Sequence, residues 1–237
     1  MSQPEQSSVR NRLLRAMSAD DFALLAPHLQ HCQAKKGAVL FEPNVPIETV
    51  WFMESGIGSI VTTSPEGLKA ENGLFGRDGF GPVAVIMGSD RSPHQGMVQL
   101  NDDCLKMPAA RLIEAVDKSA NLRNLLLRYA QVLSIQTAYT ALSNAVHPID
   151  ERLARWILMC NDRMDGDLPL THEFMSIMLA VRRPSVTTAL HVLEGNGFIR
   201  AERGCIIVRN RAALEEFAGD SYGEPEREYE RLIGPMR

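Results

Sequence analysis

Between residues 29 and 107 the hydrophobic residues come in short runs separated by residues that favour turns. The turn signals are Lys36-Gly37, Pro43-Asn44, Ser55-Gly56, 65–67 and Asp102-Asp103. The runs between them have the length of strands: 39–41, 50–53, 57–61, 74–75, 97–100 and 104–107. Short strands at this spacing are typical of a β-sandwich or a β-barrel. This part of the chain is therefore predicted to form a β-sandwich or a β-barrel.

From residue 109 the pattern changes to a helical period, and residues 109–163 contain a single proline and no glycine. From Leu122 a seam recurs every 3.5 residues, which is typical of a helix that pairs with another helix. The sequence predicts a long helix over 119–147 that ends before Pro148 and pairs with a second copy. Its predicted dimer contacts are Leu122, Leu125, Tyr129, Val132, Gln136 and Tyr139. The alternative is an amphipathic helix that lies on its own barrel.

The C-terminal third is predicted to contain two short helices followed by a β-hairpin. Thr171 can cap a helix that starts at His172, and a turn at 180–183 leads into a second helix with Pro184 in its first turn. Glycines at 195–197 end that helix, and a β-hairpin is predicted over 198–208. This order of elements is that of a winged helix-turn-helix.

The predicted fold is α+β, with four segments along the chain. They are an N-terminal β-domain with flanking helices (1–118), a dimerisation helix (119–147), a winged helix-turn-helix (148–218) and an acidic tail (219–237) with a partly ordered helix at 226–232.

The charge is concentrated in one region, although the net charge of the chain is only −4. Residues 171–211 hold six Lys and Arg against three Asp and Glu, whereas both flanking regions are acidic. A local excess of this kind can bind nucleic acid, because salt screens attraction to phosphate beyond about 10 Å. The charge alone is only suggestive of DNA binding.

The second short helix has the side chains that a DNA-reading helix needs. Val186, Ala189, Leu190 and Leu193 form one apolar face. The candidate DNA contacts are Thr171, His172, Arg182, Arg183, Ser185, Thr187 and Thr188. Arginine can bond guanine bidentately in the major groove, and Ser and Thr hydroxyls can reach phosphates or base edges. The alternative is a winged helix used for contacts with proteins.

A β-barrel, a long pairing helix and a winged helix in this order resemble the cyclic-AMP receptor protein and fumarate-nitrate-reduction regulator (Crp/Fnr) superfamily of bacterial transcription factors. The segment 171–199 carries the sharpest resemblance, with Thr171, Val186, Leu190 and Leu193-Glu194 at the characteristic positions. The resemblance implies a homodimer on a pseudo-palindromic site in double-stranded DNA, with RNA polymerase as a partner. Arg183 matches the arginine that reads guanine in this family. Pro184 and Thr188 replace two base-reading residues, so the family's target sequence does not carry over.

The resemblance also implies that residues 1–118 form a cyclic-nucleotide-binding-like sensor, which is a β-barrel of the jelly-roll kind. Arg91-Ser92 matches half of the motif that neutralises the cyclic phosphate, but Gly81 stands where the carboxylate for the ribose is expected. Gly81, Arg91 and Ser92 are therefore the ligand-binding candidates, and the ligand is predicted not to be cyclic AMP. The alternative for Arg91 and Ser92 is a surface turn.

The identity of a cofactor stays open. Residues 1–30 lack cysteine, so the iron–sulfur cluster of related oxygen sensors is not expected, and the four cysteines have no spacing typical of zinc sites. The Gly-rich segment 75–81 resembles one in other members of the superfamily and specifies no ligand.

No nucleophile, base and orienting partner occur together at an informative spacing, so the protein is predicted not to be an enzyme. A nucleotide-sensing module that acts through protein contacts without DNA is the remaining alternative. The polar N-terminus has no secretory signal, and the uncharged stretch 129–146 is too polar to span a membrane. The expected location is the cytoplasm, without membrane contact.

Overall fold

The computed structural model describes residues 3–100 and 102–236. For Asp102 it describes the backbone alone. Two short helices come first, α1 at Arg12–Arg15 and α2 at Ala19–Leu25, followed by a 3-10 turn at Ala26–His28. Asn11 and Ser18 cap the two helices with their side-chain oxygens.

Eight strands form two four-stranded antiparallel sheets that enclose a common apolar core. The first sheet has the order β1-β8-β3-β6 and the second β2-β7-β4-β5. The strands are β1 Gln30–Ala34, β2 Val39–Phe41, β3 Thr49–Met53, β4 Ile57–Thr63, β5 Lys69–Phe75, β6 Phe80–Gly81, β7 Gln95–Leu100 and β8 Asp102–Pro108. The predicted fold class of a β-sheet sensor followed by helices is confirmed.

The turn predicted at Asp102-Asp103 is wrong, because both residues lie in β8. They pair with Ala34 and Gln33 of β1, and the next residue, Cys104, also pairs with Met53 of β3. A strand between two neighbours has its backbone groups satisfied on both sides, and this tertiary pairing outweighs the local turn preference of aspartate.

The first long helices are α3 at Ala109–Lys118 and α4 at Ala120–Val146, followed by α5 at Ile149–Arg163. Ser119 caps α4 by accepting a hydrogen bond from the backbone N of Leu122 at 3.1 Å. Residues 147–148 separate α4 from α5, as expected from Pro148.

Five of the six predicted dimer contacts of α4 are buried within the single chain, which corrects the sequence prediction for these five. Tyr129 lies 5.5 Å from Phe80 between ring centroids. Gln136 receives a hydrogen bond from the backbone N of Leu74 and donates one to its backbone oxygen. Tyr139 is half-buried. The residues that single-chain packing already buries are Leu122, Leu125, Tyr129, Val132 and Gln136.

The physical reason is that a seam with a period of 3.5 residues fits any apolar surface, not only a second helix. The barrel offers such a surface, so the most hydrophobic stripe of α4 is used inside one chain. The buried face of α4 therefore agrees with the alternative prediction, an amphipathic helix that lies on its own barrel.

The winged helix-turn-helix has the predicted elements. They are α6 at His172–Met178, α7 at Arg183–Gly195, β9 at Ile199–Glu202, β10 at Cys205–Val208 and α8 at Arg211–Ala218. Gly197 ends α7 with a φ of +73°, a conformation that favours glycine.

The tail is folded back on the sensor. A 3-10 turn at Gly219–Ser221 leads to α9 at Glu224–Leu232, which packs against α4. The hydroxyl of the buried Tyr229 donates to the backbone oxygen of Asp78 at 2.9 Å. The predicted tail helix is present and begins two residues earlier than expected.

The sensor and the winged helix share an apolar cluster. Ile57, Val61 and Leu74 of the second sheet lie in the same buried cluster as Leu153 and Trp156 of α5. A buried ion pair joins the same two parts, because Arg163 of α5 donates to Asp78 at 2.7 Å and 3.0 Å. Both faces of β4 are therefore covered, which accounts for its run of five buried residues.

Candidate nucleic-acid interface and sensor cavity

Helices α6 and α7 are held at a fixed angle by a cap and a tight turn. The Thr171 hydroxyl accepts a hydrogen bond from the backbone N of Phe174 at 3.3 Å, and Ala180 in the turn has a φ of 51°. The buried side of α7 consists of Val186, Ala189, Leu190 and Leu193. The opposite side of α7 is consequently free to face a partner.

Two arginines stand at the exposed N-terminus of α7. Arg182 is the N-cap residue and Arg183 the first residue of the helix, and both side chains are exposed. Neither side chain has a hydrogen-bond or ion-pair partner among the residues that the structure describes. Cations at the positive end of a helix dipole are unfavourable on their own, so an anion such as phosphate stabilises this arrangement.

The candidate hydroxyls lie one turn further along α7. Thr188 donates to the backbone oxygen of Pro184 at 3.1 Å. Thr187 lies 2.9 Å from Nδ1 of His172, which ties the start of α6 to α7. Three of the predicted DNA contacts are half-buried: His172, Ser185 and Thr187. The structure thus places Arg182, Arg183, His172, Thr187 and Thr188 near one another.

Sequence reasoning missed two exposed residues of this surface. His191 lies one helical turn beyond Thr187 and Thr188, and Arg203 lies in the turn of the β9–β10 hairpin beside Gly204. The spacing of i+3 from Thr188 and the Glu-Arg-Gly turn were the available signals.

The sensor contains a cavity of about 490 Å³ between the second sheet, the 82–94 segment and α4. Nine of its sixteen lining residues are apolar and none is acidic; they are Phe41, Ile60, Asn72, Pro82, Val83, Ala84, Met87, Ser89, Arg91, Ser92, Pro93, His94, Ala130, Leu133, Ser134 and Thr137. The cavity therefore has no carboxylate with which to hold a ribose.

The structure places two of the three predicted ligand residues at this cavity. Arg91 and Ser92 line it, whereas Gly81 is not among the lining residues although its neighbour Pro82 is. A Cβ atom on Gly81 would lie 2.7 Å from the ring of Phe75, so this glycine permits a close packing contact.

The polar side of the cavity is formed by neighbouring residues of one loop. The Arg91 guanidinium is more than half exposed and lies 3.5 Å from Asp90. The Ser92 hydroxyl accepts from the backbone N of His94, whose Nδ1 lies 3.0 Å from the Thr62 hydroxyl. Burial lowers the pKa of His94 and so favours its neutral form. The arrangement suits a mainly apolar ligand with one anionic or hydrogen-bonding group.

Among the described residues, no group of three or more His, Cys, Asp and Glu side chains is placed to hold a metal ion. No helix in the described part of the chain combines the length and hydrophobicity needed to cross a membrane.

Comparison with known proteins gives a family for the C-terminal part. Residues 151–217 match the model of the Crp-like helix-turn-helix domain. A search of curated proteins gives no match.

Solved structures extend the similarity to most of the chain. FixK2 from Bradyrhizobium japonicum is 14% identical, with a TM-score of 0.66 over 80% of this chain and 96% of that chain. The c-di-GMP responsive global regulator CLP of Xanthomonas campestris is 16% identical, with a TM-score of 0.64 over 81% of this chain and 99% of that chain. A transcriptional regulator of the CRP/FNR family from Thermus thermophilus is 18% identical, with a TM-score of 0.58 over 80% of this chain and 98% of that chain.

At these identities the solved structures establish the fold, and the domain model establishes the type of helix-turn-helix. Residues 151–217 therefore form a Crp-like helix-turn-helix DNA-binding domain, and the chain as a whole has the fold of the Crp/Fnr transcription regulators.

Proposed function

We propose that this protein is a homodimeric, sequence-specific DNA-binding transcription regulator whose sensor cavity binds a small molecule other than cyclic AMP. The observation that carries the proposal is the pair Arg182 and Arg183, whose side chains are exposed at the start of α7 without an intramolecular partner among the described residues. The division into a sensor (1–118), a dimerisation helix (119–147), a DNA-binding domain (148–218) and a tail (219–237) is part of the proposal.

In this proposal α7 enters the major groove with its N-terminus first. Arg183 reads a guanine edge, while Arg182, one residue earlier and outside the helix, contacts phosphate. The side of α7 that faces the DNA continues with Thr187, Thr188 and His191. Arg203 of the β9–β10 hairpin contacts the sugar-phosphate backbone of the DNA. Two such helices in a symmetric dimer occupy successive major grooves of a pseudo-palindromic site.

The proposed dimer uses the outward face of α4 instead of the buried stripe. A second row of residues, three or four positions apart, runs along this face: Leu127, Gln131, Ile135, Ala138, Leu142 and Ala145. Leu127 and Leu142 are 40% and 49% exposed, which is unusual for large apolar side chains on one helix face. The small side chains of Ala138 and Ala145 in the same row allow two helices to approach closely.

The same helix connects the sensor cavity with the dimer seam. Ser134 and Thr137 line the cavity, and Ile135 and Ala138 follow each of them on the outward face. A ligand in the cavity would therefore contact α4, the helix that joins the two copies in this proposal. We propose that it biases two arrangements of the DNA-binding domains about residues 145–150.

The missing carboxylate supports the exclusion of cyclic AMP. A ribose hydroxyl buried without a hydrogen-bond partner loses affinity, and no Asp or Glu is among the cavity-lining residues. The proposed partner downstream of DNA is RNA polymerase, and the proposed site of action is the cytoplasm. No enzymatic step belongs to the proposal.

The test uses the purified full chain and a library of random duplexes. Repeated selection should enrich two half-sites related by a two-fold axis, about 10 base pairs apart from centre to centre. Affinity for the selected site should fall steeply with salt. The Arg111→Ala variant, which removes an exposed arginine on α3, is the matched control and should bind normally. Absence of both enrichment and salt dependence would leave contacts with proteins as the function of the winged helix.

A further inference from the structure

A second cavity, of about 600 Å³, lies between the N-terminal segment, the Gly-rich loop and the end of the tail. Four of its lining residues are arginines and none is acidic. The lining consists of Arg10, Arg12, Arg15, Ala16, Arg77, Tyr229, Ile233, Gly234 and Pro235. This arginine cavity is separate from the sensor cavity and from the DNA-binding surface, with which it shares no residue.

The positive charge of the arginine cavity is only partly compensated. Arg77 forms two hydrogen bonds to the Asp165 carboxylate, at 2.7 Å and 2.9 Å, and Arg10 forms a third at 2.6 Å. Arg12 donates to the backbone oxygen of Asp162, and Arg15 has no side-chain partner among the described residues. Among the described residues, the Asp165 carboxylate thus pairs with two of the four guanidinium groups, and those of Arg12 and Arg15 form no ion pair.

The other nearby acids are already paired elsewhere. The Asp162 carboxylate accepts hydrogen bonds from Arg211 at 2.6 Å and from the Tyr222 hydroxyl at 2.8 Å. The Asp78 carboxylate accepts from Arg163. Burial and the charge of Arg77 lower the pKa of Arg12, which agrees with a surplus of positive charge around it.

The main chain that carries Arg10, Arg12 and Arg77 is held in place by hydrogen bonds. The backbone N of Arg12 donates to the backbone oxygen of Arg77 at 2.5 Å. The buried Asn11 side chain donates to the backbone oxygens of Met53 and Gly79, and the Glu54 carboxylate accepts from the backbone N of Arg10. A ligand therefore meets guanidinium groups that are already close together, and less of its binding energy is lost in ordering them.

We propose that the arginine cavity binds a small organic polyphosphate, such as a nucleoside diphosphate or triphosphate. Guanidinium groups bind phosphate oxygens bidentately, and a surplus of about three cations matches a ligand with several negative charges. Phosphate groups contact Arg12 and Arg15, with Arg10 and Arg77 beside them. The apolar remainder of the wall, formed by Ala16, Ile233 and Pro235, takes the organic part of the ligand.

The proposal is independent of DNA recognition, and the test measures binding of the ligand alone. Titration calorimetry with the full chain at about 50 mM salt uses ATP, AMP and inorganic tripolyphosphate as probes. ATP should bind at least tenfold more tightly than AMP, because AMP supplies one phosphate instead of three. Tripolyphosphate bound as tightly as ATP would show that the apolar wall makes no contact and would overturn the organic part of the proposal.

The variants locate the site. Arg15→Gln removes an exposed guanidinium without a described partner, so the variant should fold normally and bind ATP about tenfold more weakly. Arg12→Gln/Arg15→Gln should lose binding altogether. Thermal unfolding without ligand reports whether each variant is folded.

The matched controls remove arginines elsewhere. Three substitutions should each leave ATP binding unchanged: Arg111→Gln on α3, Arg91→Gln at the sensor cavity and Arg183→Gln at the start of α7. No ATP binding at millimolar concentration, equal binding by Arg15→Gln and the native chain, or loss of binding in Arg91→Gln or Arg183→Gln would overturn the proposal.

Discussion

The buried carboxyl group of Glu71 should make the stability of this protein depend on pH. Glu71 lies in β5 at the junction with the DNA-binding domain, where its Oε1 accepts a hydrogen bond from Nε1 of Trp156 at 2.8 Å. Its Oε2 has no hydrogen-bond partner among the described residues. Burial raises the pKa of Glu71 to about 7, although the nearby Ser59 hydroxyl and the hydrogen bond from Trp156 oppose the shift.

The direction of the pH dependence follows from which state, folded or unfolded, binds the Glu71 proton more tightly. Between pH 4.5 and about 7 the folded protein keeps the Glu71 proton, while the unfolded chain releases it. Unfolding therefore becomes more favourable as pH rises through this window. A shift from 4.5 to about 7 corresponds to roughly 3 kcal/mol of unfolding free energy lost by pH 8.

The Glu71→Gln variant isolates this contribution, because glutamine can accept the Trp156 hydrogen bond and does not ionise. Urea unfolding at pH 4.5, 6, 7 and 8, at one protein concentration, gives the difference in unfolding free energy between variant and native chain. That difference should rise by roughly 3 kcal/mol across the series in favour of Glu71→Gln. Any constant cost of the amide cancels.

Glu66→Gln is the matched control, since Glu66 is an exposed carboxylate of the same sensor. Its difference from the native chain should stay constant with pH. A difference for Glu71→Gln that varies by less than about 0.5 kcal/mol would refute the reasoning and place the Glu71 carboxylate in contact with water.

Three further outcomes follow from the proposed function. In competition assays, Arg183→Ala should cost about 1–3 kcal/mol on the selected site and relax one base position in each half-site, whereas Arg182→Ala should weaken all duplexes alike. The double variant Ile135→Asp/Leu142→Asp should sediment as a folded monomer, and an unchanged dimer would contradict the outward seam. Calorimetry with cyclic AMP should show no complex with a dissociation constant below roughly a micromolar, or about −8 kcal/mol; tighter binding would mean that another group replaces the missing carboxylate.

The winged helix could be predicted because its signals are local. Thr171 caps α6 through a hydrogen bond to a residue three positions on, and Gly197 ends α7 with a positive φ. Caps and turns of this kind depend on side chains within a few residues of one another. Sequence alone therefore gives the elements of the DNA-binding domain and the exposed start of α7.

The partner of α4 could not be predicted from its heptad pattern. The helix has two seams, and the more hydrophobic one, which includes Leu122 and Tyr129, is buried in its own chain. The outward seam uses Ala138 and Gln131, which carry a weak hydrophobic signal. A seam shows that a helix packs against something, whereas the identity of the surface depends on the tertiary fold.

The ion pairs of the domain junction were also beyond sequence reasoning, since Arg163 and Asp78 are 85 positions apart. The structural role of the Gly-rich segment 75–81 likewise depends on the tertiary contacts it makes. A Cβ on Gly79 would lie 1.8 Å from the Tyr129 ring, and one on Gly76 would lie 2.7 Å from the side chain of Arg163. These glycines permit close contact with α4 and α5, which no local pattern specifies.

A bulge in β5 provides the shortest physical link between the sensor cavity and the DNA-binding domain. Glu71 pairs with Val61 and Gly73 with Ile60, so Asn72 is the extra residue of the bulge. Asn72 lines the cavity, whereas Glu71 and Leu74, on either side of it, contact or cluster with Trp156 of α5. A regular strand places residues three apart on opposite faces, and the bulge brings these two onto the same face. We expect a ligand that displaces Asn72 to act on the neighbouring strand positions, Glu71 and Leu74, that contact α5.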